Sequence, residues 1–180
     1  MALLDLGRGD EAKELMVKVY EERKIKLGKE HPWTLWALCN LAKIQSKLGY
    51  LEEAEDMLIP GIAAAKRSLS DDHLGVLMGC GELARVFARQ GRFSEAENLT
   101  HDTLRRLDQS RGPGHHDTVY ALWQMARLYE LQNKIEKAIQ TCELAVERVD
   151  MRLTKVHPLG QQIHCYLDML RNRLQPSGEG

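Results

Sequence analysis

The stretch GKEHPWTLWALCNLAKIQSKLGYLEEAEDML, Gly28 to Leu58, contains two helices and the turn that joins them. Apolar residues fall at Leu35, Leu38, Leu41-Ala42, Ile44 and Leu48, the 3.6-residue spacing of one helix face. Gly49 ends that helix, because glycine accepts the left-handed conformation that a helix C-terminus commonly needs. A second helix starts near Glu52 and carries Ala54, Met57, Leu58, Ile62, Ala65 and Leu69. Pro32 and Pro158 follow His31 and His157, which suits the first position of a helix, where no N–H is needed.

Outward from this unit a register of 42 residues runs without insertion or deletion. Ala12, Ala54, Ala96 and Ala138 keep it, as do His31, His73, His115 and His157. So do Leu41-Ala42, Leu83-Ala84 and Met125-Ala126, and Gly7, Gly49 and Gly91 with Asn133 in the fourth place. A fixed period of about 20–50 residues marks a chain of stacked supersecondary units. Such a chain makes extended surface rather than an enclosed pocket, so the first inference is binding. Ala42 and Ala54 recur as small residues because two helix backbones must approach closely there. Ser94 with Glu97 reads as a capping box at the start of a second helix. Pro60-Gly61 has no counterpart elsewhere, and the surviving register predicts a bend there, not a boundary.

Apolar residues at 43% and charged residues at 28%, with 5 prolines in 180 residues, place the chain among helix-rich globular proteins and outside the disordered range. A net charge of −1 lacks the overall basic footprint of a nucleic-acid binder. Cys39, Cys80, Cys142 and Cys165 show no metal-ligand spacing and read as buried, reduced thiols. The first six residues read as too short and too quickly charged for a signal peptide, and the apolar run Leu58 to Ala65 is far short of a membrane span. These readings predict a cytoplasmic protein, with the nucleus left open, no membrane partner and no cofactor.

These residues resemble the tetratricopeptide repeat, in the 42-residue form of kinesin light chains and many fungal signalling proteins. The echoes LARVFARQGRFSEAENL and MARLYELQNKIEKAI extend the resemblance over about residues 6–174. It implies an all-α, right-handed α-α superhelix, a solenoid of about four helix pairs with a C-terminal capping helix. The array is expected over residues 1–174, with second helices near 10–27, 52–69, 94–110 and 136–153. First helices are expected near 32–48, 74–90, 116–132 and 159–174, followed by a flexible tail at 175–180. Gly7 aligns with Gly49, so the chain is expected to begin mid-repeat, as a piece of a longer array or a gene product with a degenerate start. Asp168 stands in the place of Ala42, Ala84 and Ala126, which predicts a last helix whose face meets water.

The phased histidines do not form a metal site, because stacked repeats lie about 10 Å apart while metal–nitrogen bonds are near ~2 Å. Their position reads as structural, in the connector before a helix start. His115-His116-Asp117 is a poor ligand set of three neighbouring loop residues. No GxSxG, HExxH or GxxxxGK[ST] occurs, and Gly28-Lys29 lacks the rest of a phosphate loop. Glu52-Glu53 and Asp71-Asp72 sit at helix starts, where acids offset the helix dipole. No catalytic, cofactor or metal residue is assigned, and the protein is read as not an enzyme.

A second stripe on the first helices runs through Trp36, Asn40, Lys43 and Lys47. Its equivalents are Met78, Glu82, Arg85 and Arg89, then Tyr120, Gln124, Arg127 and Leu131. By the resemblance, first helices line a concave groove, so Lys43, Arg85 and Arg127 would form a basic ladder flanked by Lys47 and Arg89. Trp36, Tyr120 and Trp123 would add aromatic contact surface. Such a groove suits an acidic peptide or partner helix. The plain alternative is a solvated face, partly neutralised by Glu82 and Glu130. The asparagine and lysine clamp of chaperone-tail-binding members is absent, its places being filled by Cys39, Lys43, Glu82, Tyr120 and Gln124. Kinesin light chains place an asparagine before the Leu-Ala pair; Asn40 matches, whereas Glu82, Gln124 and Tyr166 do not. The other functional reading is a C-terminal ligand-sensing or self-association module of a larger STAND/NLR-type signalling NTPase, associating through the N-terminal end of the array. RNA reading by helical repeats needs shorter units and a strongly basic face.

Overall fold

A computed structural model describes residues 8–152 and 158–174. Gly7, His157 and the tail from 175 lie outside them. Among the described residues there are eight α-helices and no strand. They are α1 (Gly9–Leu27), α2 (Pro32–Leu48), α3 (Leu51–Ser68), α4 (Leu74–Arg89), α5 (Phe93–Arg111), α6 (His116–Leu131), α7 (Ile135–Arg152) and α8 (Pro158–Leu174). The chain forms two compact units, Met1–Ala96 and Glu97–Gly180.

In the first unit α2 packs against both α1 and α3, and α4 packs against α3 and α2. Leu35, Leu38, Leu41 and Leu58 are essentially fully buried there, each burial contributing about 1.5–3 kcal/mol before entropy is counted. The register alanines Ala42 and Ala54 have no exposed surface, because the α2 and α3 backbones close over them. In the second unit α7 lies against α6 and α8. Its core joins Val119, Leu122, Ala126, Ala138, Cys142, Val149, Ile163 and Leu170. Asp168, in the register of the buried Ala42, Ala84 and Ala126, is exposed.

The register also sets the helix ends. Gly49, Gly91 and Asn133 have φ of 96°, 79° and 58°. After each, the next amide reaches back five residues: Tyr50 N to the Gln45 carbonyl, Arg92 N to Phe87 and Lys134 N to Tyr129, all at 2.9–3.0 Å. This double closure satisfies carbonyls that a helix terminus would otherwise leave without partners. Asn133 is the one non-glycine residue with positive φ among those described. The histidines hold the opposite ends. His31 Nδ1 accepts from Trp33 N at 3.2 Å, His73 Nδ1 from Gly75 N at 3.1 Å, and His115 Nδ1 from Asp117 N at 3.2 Å. An accepting Nδ1 places the proton of the neutral ring on Nε2. The repeated histidine is thus a helix N-cap, in the place usually taken by Ser, Thr, Asp or Asn.

Two sequence readings need correction in detail. Helix α5 begins at Phe93, with the Ala96 amide donating to the Arg92 carbonyl at 3.1 Å. Ser94 therefore sits inside the first turn, not at its cap, and Glu97 instead meets Lys134 Nζ at 3.0 Å. Cys165 is exposed, unlike Cys39, Cys80 and Cys142, because its side of α8 lies outside the core. At Pro60 the helix α3 continues, so no boundary falls there, as the register predicts, and the glycine beside it answers a packing demand. A Cβ on Gly61 would collide with Leu38 Cδ2.

Candidate interaction surface

On α2 and α4 of the first unit the stripe is half committed to the protein itself. Trp36 is 40% exposed and its ring lies 6.3 Å from that of Trp33, edge to face. The Arg23 guanidinium of α1 lies 5.0 Å from the Trp36 ring and 5.6 Å from Trp33, and Arg23 Nη1 donates to the Trp33 carbonyl at 3.0 Å. Each such cation–π contact is worth about 0.5–1 kcal/mol at an exposed site. Asn40 turns its amide back onto its own helix, donating to the Trp36 carbonyl at 2.9 Å. Met78, the equivalent of Trp36 on α4, is exposed.

Glu82 organises the cations. Arg85 Nη1 lies 3.1 Å from Glu82 Oε1, and both side chains are largely covered. Burial pushes the Glu82 carboxyl above its ordinary range, while Arg85 and Lys43 pull in the opposite direction. Lys43 and Arg85 therefore share one carboxylate, leaving positive excess. Arg89 donates to the Ser46 carbonyl, closing the last turn of α2 from the neighbouring first helix. Lys47 is exposed and has no ion-pair partner among the described residues.

In the second unit the corresponding stripe is an aromatic cluster. Tyr120 and Trp123 stand 5.8 Å apart, and Trp123 and Tyr166 6.3 Å apart, each pair edge to face. The exposed Arg127 lies over the Trp123 ring at 5.5 Å. Tyr166 donates its hydroxyl to Glu130 Oε2 at 2.5 Å, and Arg173 Nη1 meets Glu130 Oε1 at 2.6 Å. Burial, with Glu130 beside it, raises the Tyr166 phenol well above its ordinary value. Trp123 Nε1 and Gln124 Nε2 are buried and without a partner.

Trp36 is thus grouped with Trp33 and Arg23, and Tyr120 and Trp123 with Tyr166. Arg23 was missed because it belongs to a second helix, and nothing in a one-dimensional register links it to the following first helix. Trp33 had a signal, three residues before Trp36, but lies off the chosen stripe. Among the described residues no group of three or more His, Cys, Asp or Glu is placed to hold a metal ion, and no helix is long and apolar enough to cross a membrane. Asp117 lies 3.3–3.4 Å from the Nδ1 atoms of His115 and His116.

Solved structures share this fold. A kinesin light chain-like protein of Podosopora anserina, built from nearly identical TPR-like repeats, is 23% identical, with a TM-score of 0.70 over 95% of this chain and 81% of that one. A point variant of that protein gives 0.71 at the same identity and coverage. BtubC (BKLC) of P. vanneervenii is 16% identical, with a TM-score of 0.66 over 96% of this chain and 67% of that one. No curated protein matches the chain. The tetratricopeptide repeat profile matches residues 1–67 and 76–149, most of the sequence. With the all-α helix pairs and the 42-residue register, this match makes the chain a member of the tetratricopeptide repeat family.

Proposed function

We propose that this protein binds an acidic segment of a protein partner on the exposed faces of its first helices. Tetratricopeptide repeats are protein–protein interaction scaffolds, typically without enzymatic activity, so the coarse function follows from the family. The finer reading rests on one observation: Arg85 pairs with the largely covered carboxylate of Glu82, which also feels the charge of Lys43, with Lys47 and Trp36 exposed on the same stripe. A net positive face beside a tryptophan anchor favours an acidic segment carrying an apolar or aromatic residue. In the second unit Arg127, Tyr120 and Trp123 offer the same pairing of cation and aromatic surface.

The test is titration with a fluorescent Asp/Glu-rich peptide containing one tryptophan, at low and high salt. Binding should weaken with salt and fall at least about tenfold in the Lys43→Glu, Arg85→Glu double variant. Unchanged affinity in that variant refutes the reading. Self-association is a second reading, favoured by Leu15 and Val17, which are 54% and 38% exposed on α1. A concentration-independent monomer by light scattering overturns it.

A further inference from the structure

A cavity of about 380 Å³ lies among α1, α2 and α3 of the first unit, and none of the ladder residues lines it. Its body is apolar, formed by Tyr20, Leu35, Leu38, Met57 and Ala64. Three features separate it from an accidental packing gap. The first is Thr34, which lines it, is 2% exposed, and has a hydroxyl without a partner. Its register equivalent Thr118 donates its hydroxyl to the Gly112 carbonyl at 2.9 Å. A buried hydroxyl left unpaired costs on the order of what a hydrogen bond contributes, so the site is built to receive a polar atom.

The second feature is the Pro60-Gly61 pair, which lines the cavity and has no counterpart in the register, where Lys18-Val19, Asp102-Thr103 and Leu144-Ala145 stand instead. With no side chain at Gly61, α3 approaches Leu38 directly, where a Cβ would collide with the leucine side chain. The third is the charge at the rim. Glu21 and Lys24 pair with each other at 2.9 Å. Lys29 and Asp56 also line the cavity, and neither has an ion-pair partner among the described residues. One uncommitted cation and one uncommitted anion beside an apolar body complement a ligand with both charges.

We propose that this cavity binds a small zwitterion with an apolar body, the size of a free apolar amino acid or a dipeptide. Asp56 takes the ammonium, Lys29 the carboxylate, the leucines and Met57 hold the apolar part, and the Thr34 hydroxyl bonds a polar atom of the ligand. The volume lies at the lower end of small-molecule sites, about 300–1,000 Å³. A partner helix of roughly 10–12 Å diameter is too wide for it.

The experiment is a titration of ¹⁵N-labelled full chain with L-leucine, L-phenylalanine and the dipeptide Leu-Phe, followed by amide shifts. Saturable shifts are expected around Thr34 and Gly61, with affinity lower by about tenfold or more for N-acetyl-phenylalanine amide and 3-phenylpropionate, which lack one or both charges. Lys29→Ala and Asp56→Ala, both at exposed positions, should each weaken binding by about tenfold while leaving helicity unchanged. No saturable shift with any of the three ligands, equal affinity for the capped analogue, or unaltered affinity in both variants overturns the proposal, the cavity then holding water only. The Lys43→Glu, Arg85→Glu variant should bind these ligands normally, so failure here is distinct from failure of the acidic-segment reading.

Discussion

Replacing His73 with alanine tests the helix-capping role of the repeated histidine. The structure assigns His73 one hydrogen bond, Nδ1 accepting from the Gly75 amide at 3.1 Å, in a partly buried setting. Removing an N-cap acceptor costs about 0.5–2 kcal/mol, and an amide that water can partly reach belongs near the middle, at about 1 kcal/mol. For a chain of this size that corresponds to a fall of about 2–4 °C in melting temperature. Urea unfolding followed by helicity measures it, with several probes because repeat arrays need not unfold in one step. Asparagine is among the best N-cap residues, so His73→Asn should recover stability to within a few tenths of a kcal/mol. His31→Ala and His115→Ala should cost about as much, since each loses an equivalent bond. Equal losses for His73→Ala and His73→Asn would refute the capping account, because the ring would then act through packing alone.

Two further outcomes follow from burial. Cys39 and Cys142 are buried, which pushes both thiols up to about 12, whereas Cys165 is exposed. Iodoacetamide at neutral pH should therefore label Cys165 first in the native protein and all four cysteines after denaturation; rapid native labelling of Cys142 would contradict the core assignment. For Glu82, burial raises the folded carboxyl above its unfolded value, so the folded state holds more protons than the unfolded one between those values. Stability contributed by the protonated form is then lost as pH rises through that interval. Glu82→Gln should abolish this fall, and a pH–stability curve that matches wild type would show that Arg85 and Lys43 fully offset the burial.

The fold was legible because the register repeats the same physical demands every 42 residues. Ala42 and Ala54 had to be small where backbones meet, and Gly49, Gly91 and Asn133 had to accept positive φ. The histidine cap was half legible: its place before a helix was clear, but imidazole is an uncommon cap and only coordinates show Nδ1 accepting. The interaction surface was least legible. A stripe of charges at one phase gives no hint that Glu82 answers to both Lys43 and Arg85, or that Arg89 is spent on the Ser46 carbonyl. Nor could it show that Arg23 stacks on Trp36, since that contact joins different helices. Tertiary pairing of exposed side chains leaves little periodic trace, whereas burial does.

The brackets around each first helix bear on how this chain acquires its structure. Histidine caps span two residues and the glycine or asparagine closures span three to five, so the bonds that define a helix form with almost no loop-closure entropy. Even the ion pairs that tie successive repeats, such as Lys13–Glu53 and Arg148–Asp108, reach only 40 residues along the chain. A protein dominated by such short separations has low contact order and folds quickly for its length. Nucleation then has no privileged address: whichever helix pair closes first becomes the template against which its neighbours condense.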